Sequence, residues 1–254
     1  MRVLAHLSDL HFGRVDPAVL EPLRRHLLAL APDLVVVSGD LTQRARAHEF
    51  RAARAFLDTL PKPLFVVPGN HDVPLFNLFA RFLRPLAAYR RLITEDLDPS
   101  FADEEIAVLG INTARSFTWK GGAVSEAQLA RVQETCRLHG GLTKVLVTHH
   151  PFMALDRLAH CGVDLLLAGH LHAAQAGPAA VRAAGSCALM VQAGTATSQR
   201  TRAEPNSFNL LRVGRGHIAV ERHVLRGGAF ERAASEAFSR EASGWRRNGS
   251  AGSA

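Results

Sequence analysis

The chain has 254 residues, of which 47% are hydrophobic and 21% charged, a composition typical of a globular protein with a sizeable core. No apolar run reaches about 18 residues and the N-terminus lacks a signal-peptide core, while three isolated cysteines favour a reducing compartment, so we expect a cytoplasmic protein without a transmembrane segment. The formal net charge of +7 favours anionic partners such as phosphates, nucleic acid or an anionic membrane surface.

Short apolar strands alternate with amphipathic helices through the first half of the chain, which favours an α/β fold with partly parallel strand pairing. The strands of this half are predicted at 2–8, 34–38, 63–67 and 106–111. The helices are predicted at 17–31, 45–60, 75–92 with an interruption near Pro85, and 125–138 with a Ser125–Gln128 capping box. The apolar run at 34–37 is typical of a strand that is covered on both faces.

The last third of the chain is richer in strands, which indicates a second β-sheet. The strands after the helix at 125–138 are predicted at 144–148, 164–168, 188–192, 207–213 and 217–225, the last two joined as a hairpin. From Gly227 onward the composition turns to Gly, Ser, Ala and Arg. We therefore expect one domain over 1–226 and a C-terminal segment, 227–254, made of a helix at 229–238 and a flexible tail at 248–254.

Polar side chains that can bind metal ions follow five of the predicted strands. The five pieces are Asp9-Leu10-His11, Gly39-Asp40, Gly69-Asn70-His71-Asp72, His149-His150 and Gly169-His170-Leu171-His172. Because the site of an open α/β sheet lies beyond the carboxyl ends of its strands, these pieces are expected to converge on one cleft. Each piece alone is commonly a turn, but five of them in this order favour a shared site.

Carboxylate and imidazole groups together suit Mn, Fe or Zn ions. Both D-x-H and H-x-H have i, i+2 spacing, so an extended backbone is expected to point the two side chains of each pair in one direction. Two metal ions need seven or eight protein ligands, with one ligand shared between them. The seven candidates are Asp9, His11, Asp40, Asn70, His149, His170 and His172.

The ordered set D-x-H, G-D, G-N-H-D, H and G-H-x-H resembles the calcineurin-like metallophosphoesterase superfamily, and within it the bacterial cyclic-nucleotide phosphodiesterase-like group. The resemblance implies a mixed α/β fold, a four-layer α-β-β-α sandwich with two mixed β-sheets, and two divalent or trivalent metal ions, Mn or Fe, with Zn as an alternative. It implies that Asp9, His11, Asp40 and His172 hold the first metal ion. It implies that Asp40, Asn70, His149 and His170 hold the second.

The resemblance also implies roles for the residues around these ligands. His71 would face the substrate as general acid or oxyanion stabiliser, and Asp72 would orient His71 by a hydrogen bond. His149 and His150 compete for one ligand position. The ligand in the family is usually the first histidine after the strand, which favours His149 and leaves His150 beside the substrate.

Two further segments follow strand ends and carry groups that can grip phosphate. Asn112 and Arg115 lie in one of them, and Arg200 and Arg202 lie in the other. We take Asn112, Arg200, Arg202 and His150 as candidate substrate-binding residues, with a solvated turn as the alternative for both segments. The phenylalanines at 76, 79 and 82 fit the core or a dimer face better than a base-stacking platform.

The reaction implied by the resemblance is hydrolysis of small organic phosphate diesters or cyclic nucleotides by attack of a metal-bridging hydroxide. One alternative is a nucleotide-lipid pyrophosphatase of the UDP-diacylglucosamine type, although that branch usually reads G-N-R-D where this chain has His71. Another alternative is a nuclease or nucleic-acid-binding protein, for which the sequence shows no binding motif. The expected partner is thus a small phosphoester, with no stable nucleic acid; peripheral membrane contact and a homodimer remain open.

Overall fold

The computed structural model describes residues 1–117, 121–151, 161–178, 188–199, 204–242 and 244–248. Within these ranges the chain forms two mixed β-sheets with helices on their outer faces, as the sequence predicts. The helices are α1 (Pro17–Leu30), α2 (Ala47–Leu57), α3 (Leu78–Leu83), α4 (Ala87–Leu92) and α5 (Glu126–Leu138). No helix of the described part has the length and apolar character needed to cross a bilayer.

The strands of the first half are β1 (Arg2–Leu7), β2 (Leu34–Val37), β3 (Leu64–Val66), β4 (Ser100–Ala102) and β5 (Ile106–Gly110). They are followed by β6 (Thr143–Val147), β7 (Leu165–Ala168), β8 (Gln175–Pro178), β9 (Leu189–Gln192) and β10 (Ser207–Gly214). The last three are β11 (His217–Arg226), β12 (Ala229–Glu241) and β13 (Gly244–Arg247). The first sheet has the strand order β13-β12-β11-β10-β1-β2-β3, and the second has the order β4-β5-β6-β7-β9-β8. Strands β1, β2 and β3 are parallel to one another, as are β5, β6, β7 and β9.

Alternating side chains of the central strands divide the interior into three hydrophobic layers. In β2, Val35 and Val37 pack with the helices α1 and α2, whereas Leu34 and Val36 pack between the two sheets. The third layer lies between α5 and the outer face of the second sheet. Because successive strand residues point to opposite faces, an uninterrupted apolar strand such as β2 needs cover on both sides. The helices and sheets that enclose these three hydrophobic layers form the four-layer α-β-β-α sandwich.

Two local predictions for the helices agree with the structure. Ser125 caps α5 by accepting a hydrogen bond from the Gln128 N–H, and the Gln128 side chain in turn accepts from the Ser125 N–H at 3.0 Å. The apolar stretch at 75–92 divides into α3 and α4 on either side of Pro85. Proline cannot donate the main-chain hydrogen bond that a continuous helix requires at this position. Phe76, Phe79 and Phe82 lie on the surface, which excludes the core and leaves a dimer face as the other predicted place for them.

The predicted helix at 229–238 is wrong, because this segment is the long strand β12. Gly227 and Gly228 both have positive φ, 56° and 81°, and form a tight turn that folds β12 back onto β11. Strand β13 then pairs with β12, so the described part of 227–248 extends the first sheet instead of leaving it. Of the predicted flexible tail, residues 249–254 lie outside the described residues.

Candidate dinuclear metal centre

The candidate site lies at the rim where three parallel strands of the first sheet, β1, β2 and β3, and two of the second, β6 and β7, reach their carboxyl ends. The loops after these strands carry the predicted donors Asp9, His11, Asp40, Asn70, His149, His170 and His172. The structure brings Asp9, His11 and His172 together, with one donor atom of each within 4.8 Å of the others. It brings Asp9, Asp40 and His149 together in the same way, so two overlapping groups share Asp9.

The Asp40 carboxylate lies between the two ends of this cluster. Its Oδ2 atom is 3.3 Å from His149 Nε2 and 3.8 Å from His11 Nε2, and its Oδ1 atom accepts from the main-chain N–H of His71 at 2.8 Å. The Asp9 Oδ1 atom is 3.4 Å from His11 Nε2 and 3.2 Å from His172 Nε2. Each carboxylate thus uses one oxygen toward imidazole nitrogens of the cluster.

The donor set fits metal ions because its inward-facing atoms are acceptors. His149 Nδ1 lies 2.8 Å from the Ser38 carbonyl oxygen, which can only accept, so Nδ1 carries a proton and Nε2 of the neutral ring presents a lone pair. That Nε2 faces Asp40 Oδ2 and, at 3.1 Å, Asn70 Oδ1. Asp9 Oδ1 and Asp40 Oδ2 are buried without a hydrogen-bond partner among the described residues. Cations would satisfy these crowded lone pairs.

The charges of the cluster support this assignment. Burial alone would raise the pKa of Asp9 and Asp40, but the close histidine nitrogens hold the pKa of both carboxyls below the ordinary range. Burial lowers the pKa of His170 to about 4, and the charge of His149 adds to the effect. At neutral pH the carboxylates are therefore ionised and the His170 ring is neutral, which are the forms that bind metal. Burial would lower the pKa of His149, but the Asp40 carboxylate raises it to about 9, so this ring must release a proton to become a ligand.

The backbone reaches this arrangement by turning sharply, and the expectation of an extended backbone in D-x-H and H-x-H is wrong. Positive φ values between 50° and 72° occur at Asp9, His11, Asp40, His170 and His172. A left-handed conformation costs an L-residue roughly 1–2 kcal/mol. Such strain persists where the surrounding structure enforces it, and it commonly concentrates at functional sites.

The turns after β3 and β7 approach the carboxylates so closely that they have no room for a side chain. A Cβ atom at Gly69 would overlap Asp40 Oδ1 and the Asp40 main-chain nitrogen. A Cβ atom at Gly169 would overlap Ser8 Oγ and lie 2.7 Å from Asp9 Oδ2. Glycine is required at both positions because the neighbouring atoms include main chain and buried carboxylate, which cannot move aside cheaply.

We expect Gly69→Ala to lose bound metal and to lower the Tm by about 2–10 °C, since overpacking a buried site costs about 1–3 kcal/mol. Elemental analysis and thermal unfolding, with and without Mn²⁺, measure the two effects. Gly177→Ala in β8 is the matched control, because a Cβ atom there meets nothing within 4 Å. A Gly69→Ala variant with wild-type metal content and Tm would contradict the close approach described here.

His71 stands at the exposed side of the cluster and is held through its ring. Its Nδ1 atom donates to the Gln43 carbonyl oxygen at 2.8 Å, and the ring meets that of His11 edge to face at 4.9 Å. The Asp72 carboxylate instead accepts from the main-chain N–H groups of Leu41, Thr42 and Gly69. The described contacts of Asp72 therefore differ from the expected side-chain bond to His71: this residue ties the loop after β2 to the turn that carries His71.

His149 and His150 occupy different surroundings. His149 is the histidine that meets Asp40 and Asn70, whereas His150 Nδ1 pairs with Thr113 Oγ1 at 2.8 Å and its ring packs 4.7 Å from that of His170. A donor atom of His150 also lies within 4.8 Å of donor atoms in His149 and His170. The geometry thus favours His149 as the partner of Asp40 and leaves His150 at the edge of the cluster.

The predicted substrate-binding residues are only partly described. The Asn112 Oδ1 atom accepts from the Ala114 N–H at 2.9 Å, so this oxygen is used within its own loop. Arg200 and Arg202 lie outside the described residues. Two residues outside the predicted site set contact the site: Gln43, through its carbonyl oxygen, and Thr195, whose Oγ1 is 3.3 Å from His172 Nδ1. Thr195 belongs to the same predicted segment as Arg200 and Arg202. The Gln43 side chain also approaches the His71 ring, with Nε2 3.4 Å from Nδ1.

Two mixed sheets with an aspartate and histidine cluster at one rim match the metallophosphoesterase fold. The profile of the calcineurin-like phosphoesterase family matches residues 2–174. The chain therefore belongs to the calcineurin-like phosphoesterase family.

Curated relatives share part of the chain. The glycerophosphodiester phosphodiesterase GpdQ of Enterobacter lignolyticus is 29% identical over 169 residues, which cover 60% of this chain and 58% of the relative. The UDP-2,3-diacylglucosamine pyrophosphatase LpxG of Chlamydia muridarum is 36% identical over 72 residues, which cover 27% and 22% respectively. The chain thus spans less than two thirds of the length of these relatives.

Solved structures share the fold at low sequence identity. A purple acid phosphatase from yellow lupin (Lupinus luteus) superposes with a TM-score of 0.69 at 12% identity, over 94% of this chain and 54% of that one. Vps29 of Chaetomium thermophilum superposes with a TM-score of 0.51 at 16% identity, over 94% and 97%. Both likenesses concern the two-sheet fold alone.

Proposed function

We propose that the protein is a metal-dependent phosphodiesterase that acts on small organic phosphate diesters, cyclic nucleotides included. The observation that carries the proposal is the position of the Asp40 carboxylate, 3.3 Å from His149 Nε2 and 3.8 Å from His11 Nε2, between two groups of donors. The similarity to a glycerophosphodiester phosphodiesterase supports a diester substrate.

In this proposal the donors form two sets that share Asp40. One set is Asp9, His11, Asp40 and His172, and the other is Asp40, Asn70, His149 and His170. Their imidazole, carboxylate and amide groups suit Mn or Fe, with Zn as an alternative. The chemistry that bound cations supply here is activation of water as a nucleophile and neutralisation of phosphate charge.

In this proposal His71 acts on the substrate directly, and the neighbouring loops hold its ring in place. The Gln43 carbonyl oxygen accepts from His71 Nδ1, so the ring has one orientation and one protonated nitrogen. In its cationic form the imidazole donates from Nε2 to a phosphate oxygen or to the departing alkoxide. Asp72 holds the loop after β2, which carries Asp40, beside the turn after β3, which carries His71. It does so by accepting from main-chain N–H groups on both, including those of Thr42 and Gly69.

A second candidate function is hydrolysis of a pyrophosphate in a nucleotide-linked lipid. The similarity to LpxG favours it, although that similarity covers only 27% of this chain. The same donor cluster serves either substrate, because both reactions place charge on phosphate oxygens that the cations neutralise. The two candidate functions are distinguished by which substrate the protein hydrolyses.

The test is a substrate panel on protein loaded with Mn²⁺, Fe²⁺ or Zn²⁺. We expect hydrolysis of bis(p-nitrophenyl) phosphate and of a glycerophosphodiester or cyclic nucleotide, and we expect a chelator to abolish it. Activity on UDP-diacylglucosamine in detergent, without activity on the small diesters, would replace the first candidate by the second. Folded, metal-loaded protein that hydrolyses no member of the panel would refute both.

A further inference from the structure

One surface of the molecule exposes a cluster of large apolar side chains. We call it the α3 face, and it consists of Phe76, Leu78, Phe79, Phe82, Leu83 and Phe117. The exposed fraction is 74% at Phe79 and 86% at Phe117. In the rest of the described chain the exposed large hydrophobic side chains are Met1, Leu28 and Leu138, which lie far apart in the sequence. Clustered exposure of this kind marks an interaction surface.

The α3 face is held outward by a buried arginine. Arg81 is 3% exposed; its Nε atom donates to the Ser116 carbonyl oxygen at 2.7 Å, and a terminal nitrogen donates to the Pro74 carbonyl oxygen at 3.1 Å. Because this charged residue takes the inward position of the short helix α3, the phenylalanines and leucines around it point to solvent. The Phe82 and Phe117 rings also contact each other, with centroids 5.3 Å apart.

Arginines surround the apolar side chains of this face. A cavity of about 730 Å³ beside α3 is lined by Arg44, Arg46, Arg84 and Arg91 together with Phe76 and Phe79. All four arginines are exposed, and no aspartate or glutamate is among the described residues that line the cavity. The Arg44 guanidinium lies 5.3 Å above the Phe76 ring. The surface is therefore apolar at its centre and cationic at its rim.

The α3 face adjoins the opening of the metal cluster. Gln43 holds the His71 ring through its carbonyl oxygen, and the next residue, Arg44, begins the cationic rim. On the other side, Val73 and Pro74 join Asp72 to the start of the α3 face. A partner seated on this face would lie next to the exposed side of the candidate catalytic cluster.

We propose that the α3 face seats the protein on the surface of an anionic lipid bilayer. Its phenylalanines and leucines enter the boundary between headgroups and acyl chains, and its arginines pair with lipid phosphates. A second copy of the chain fits the face less well, because two such faces in contact would oppose their arginine rims. The contact is peripheral, and it concerns neither the metal cluster nor the substrate of the proposed function.

The test is flotation with two kinds of vesicle, phosphatidylcholine alone and phosphatidylcholine mixed with phosphatidylglycerol. We expect the protein to float with the mixed vesicles, to float poorly with the neutral ones, and to lose binding as salt rises. Phe79→Ser with Phe82→Ser, and separately Arg84→Gln with Arg91→Gln, are each expected to weaken binding about tenfold or more.

Matched controls carry the same substitutions elsewhere on the surface. Leu28→Ser with Leu138→Ser, and Arg25→Gln with Arg137→Gln, change exposed residues of α1 and α5 and are expected to bind as the wild type does. Circular dichroism and hydrolysis of a water-soluble diester check that each variant folds. Flotation does not depend on hydrolysis, so failure of the proposed function would leave this test intact.

Three results would overturn the proposal. They are absence of binding to the anionic vesicles, equal binding by the α3-face variants and their controls, and binding to anionic and neutral vesicles alike. If light scattering instead finds a dimer that the α3-face variants dissociate, and the vesicles do not float the protein, the face is an interface between copies and the bilayer assignment is wrong.

Discussion

Asp40→Asn is expected to lower kcat/KM for bis(p-nitrophenyl) phosphate by about 10³-fold or more and to reduce bound metal to one ion per chain or fewer. The physical reason is the position of Asp40 Oδ2 between His11 Nε2 and His149 Nε2. An amide at this position has no negative charge to hold two cations. Its NH₂ group would also direct two protons toward the His11 and His149 Nε2 atoms, where the proposed cations bind.

Elemental analysis and steady-state kinetics measure this effect, and the rise in Tm on addition of Mn²⁺ gives a readout independent of activity. Asp58→Asn is the matched control, because Asp58 lies exposed on the surface after α2 and pairs only with Arg54 and Lys62 among its described ion pairs. The control should keep both metal and activity. An Asp40→Asn protein with two ions and wild-type rate would remove the basis of the proposed function.

His71→Asn is expected to lower kcat by about 10²-fold or more while metal content and Tm stay near the wild-type values. His71 lies beside the cluster, its ring 4.9 Å from that of His11 and fixed by the Gln43 carbonyl oxygen. Loss of the ring removes a donor to the reacting phosphate and leaves the predicted ligands in place. His48→Asn, on the exposed surface of α2, is the matched control.

Two leaving groups distinguish the possible roles of His71. A p-nitrophenolate leaves without a proton, whereas the alkoxide of a glycerophosphodiester needs one. If His71 is a general acid, the loss of rate is larger for the glycerophosphodiester; if it stabilises phosphate charge, the loss is similar for both. A variant that loses metal in proportion to rate would instead make His71 a ligand, since its ring also has a donor atom within 4.8 Å of Asp40 and His11 donor atoms.

Much of the layered fold and most of the residues that meet at the site could be predicted from the sequence. Both depend on local patterns, because an apolar strand such as 34–37 must be covered on two faces and parallel strands end at one rim. The residues directly after five such strands therefore meet wherever the sheets stack, and Asp9, Asp40 and His149 do so in the structure. Periodicity and the chemistry of the donors predicted the α/β alternation, the second sheet and the shared cleft, whereas the four-layer order was implied by the resemblance to a known family.

The C-terminal strand β12 depended on tertiary structure. Its sequence is rich in alanine and glutamate, which favour a helix. The turn at Gly227 and Gly228 places it beside β11, and an extra residue, Ala233, shifts the pairing so that Phe230 and Phe238 enter different hydrophobic layers. Burial of both rings outweighs a helix propensity of a few tenths of a kcal/mol per residue.

The geometry of the site and of the surface around it also depended on the tertiary structure. The left-handed backbone at Asp9 and Asp40, the binding of Asp72 to main-chain N–H groups and the outward position of α3 result from contacts between segments distant in the sequence. A local pattern states which side chain follows a strand, but not which atoms of other loops will face it. The sequence alone thus identified the side chains that could bind metal. Packing between the loops determined the orientation of each side chain toward the others.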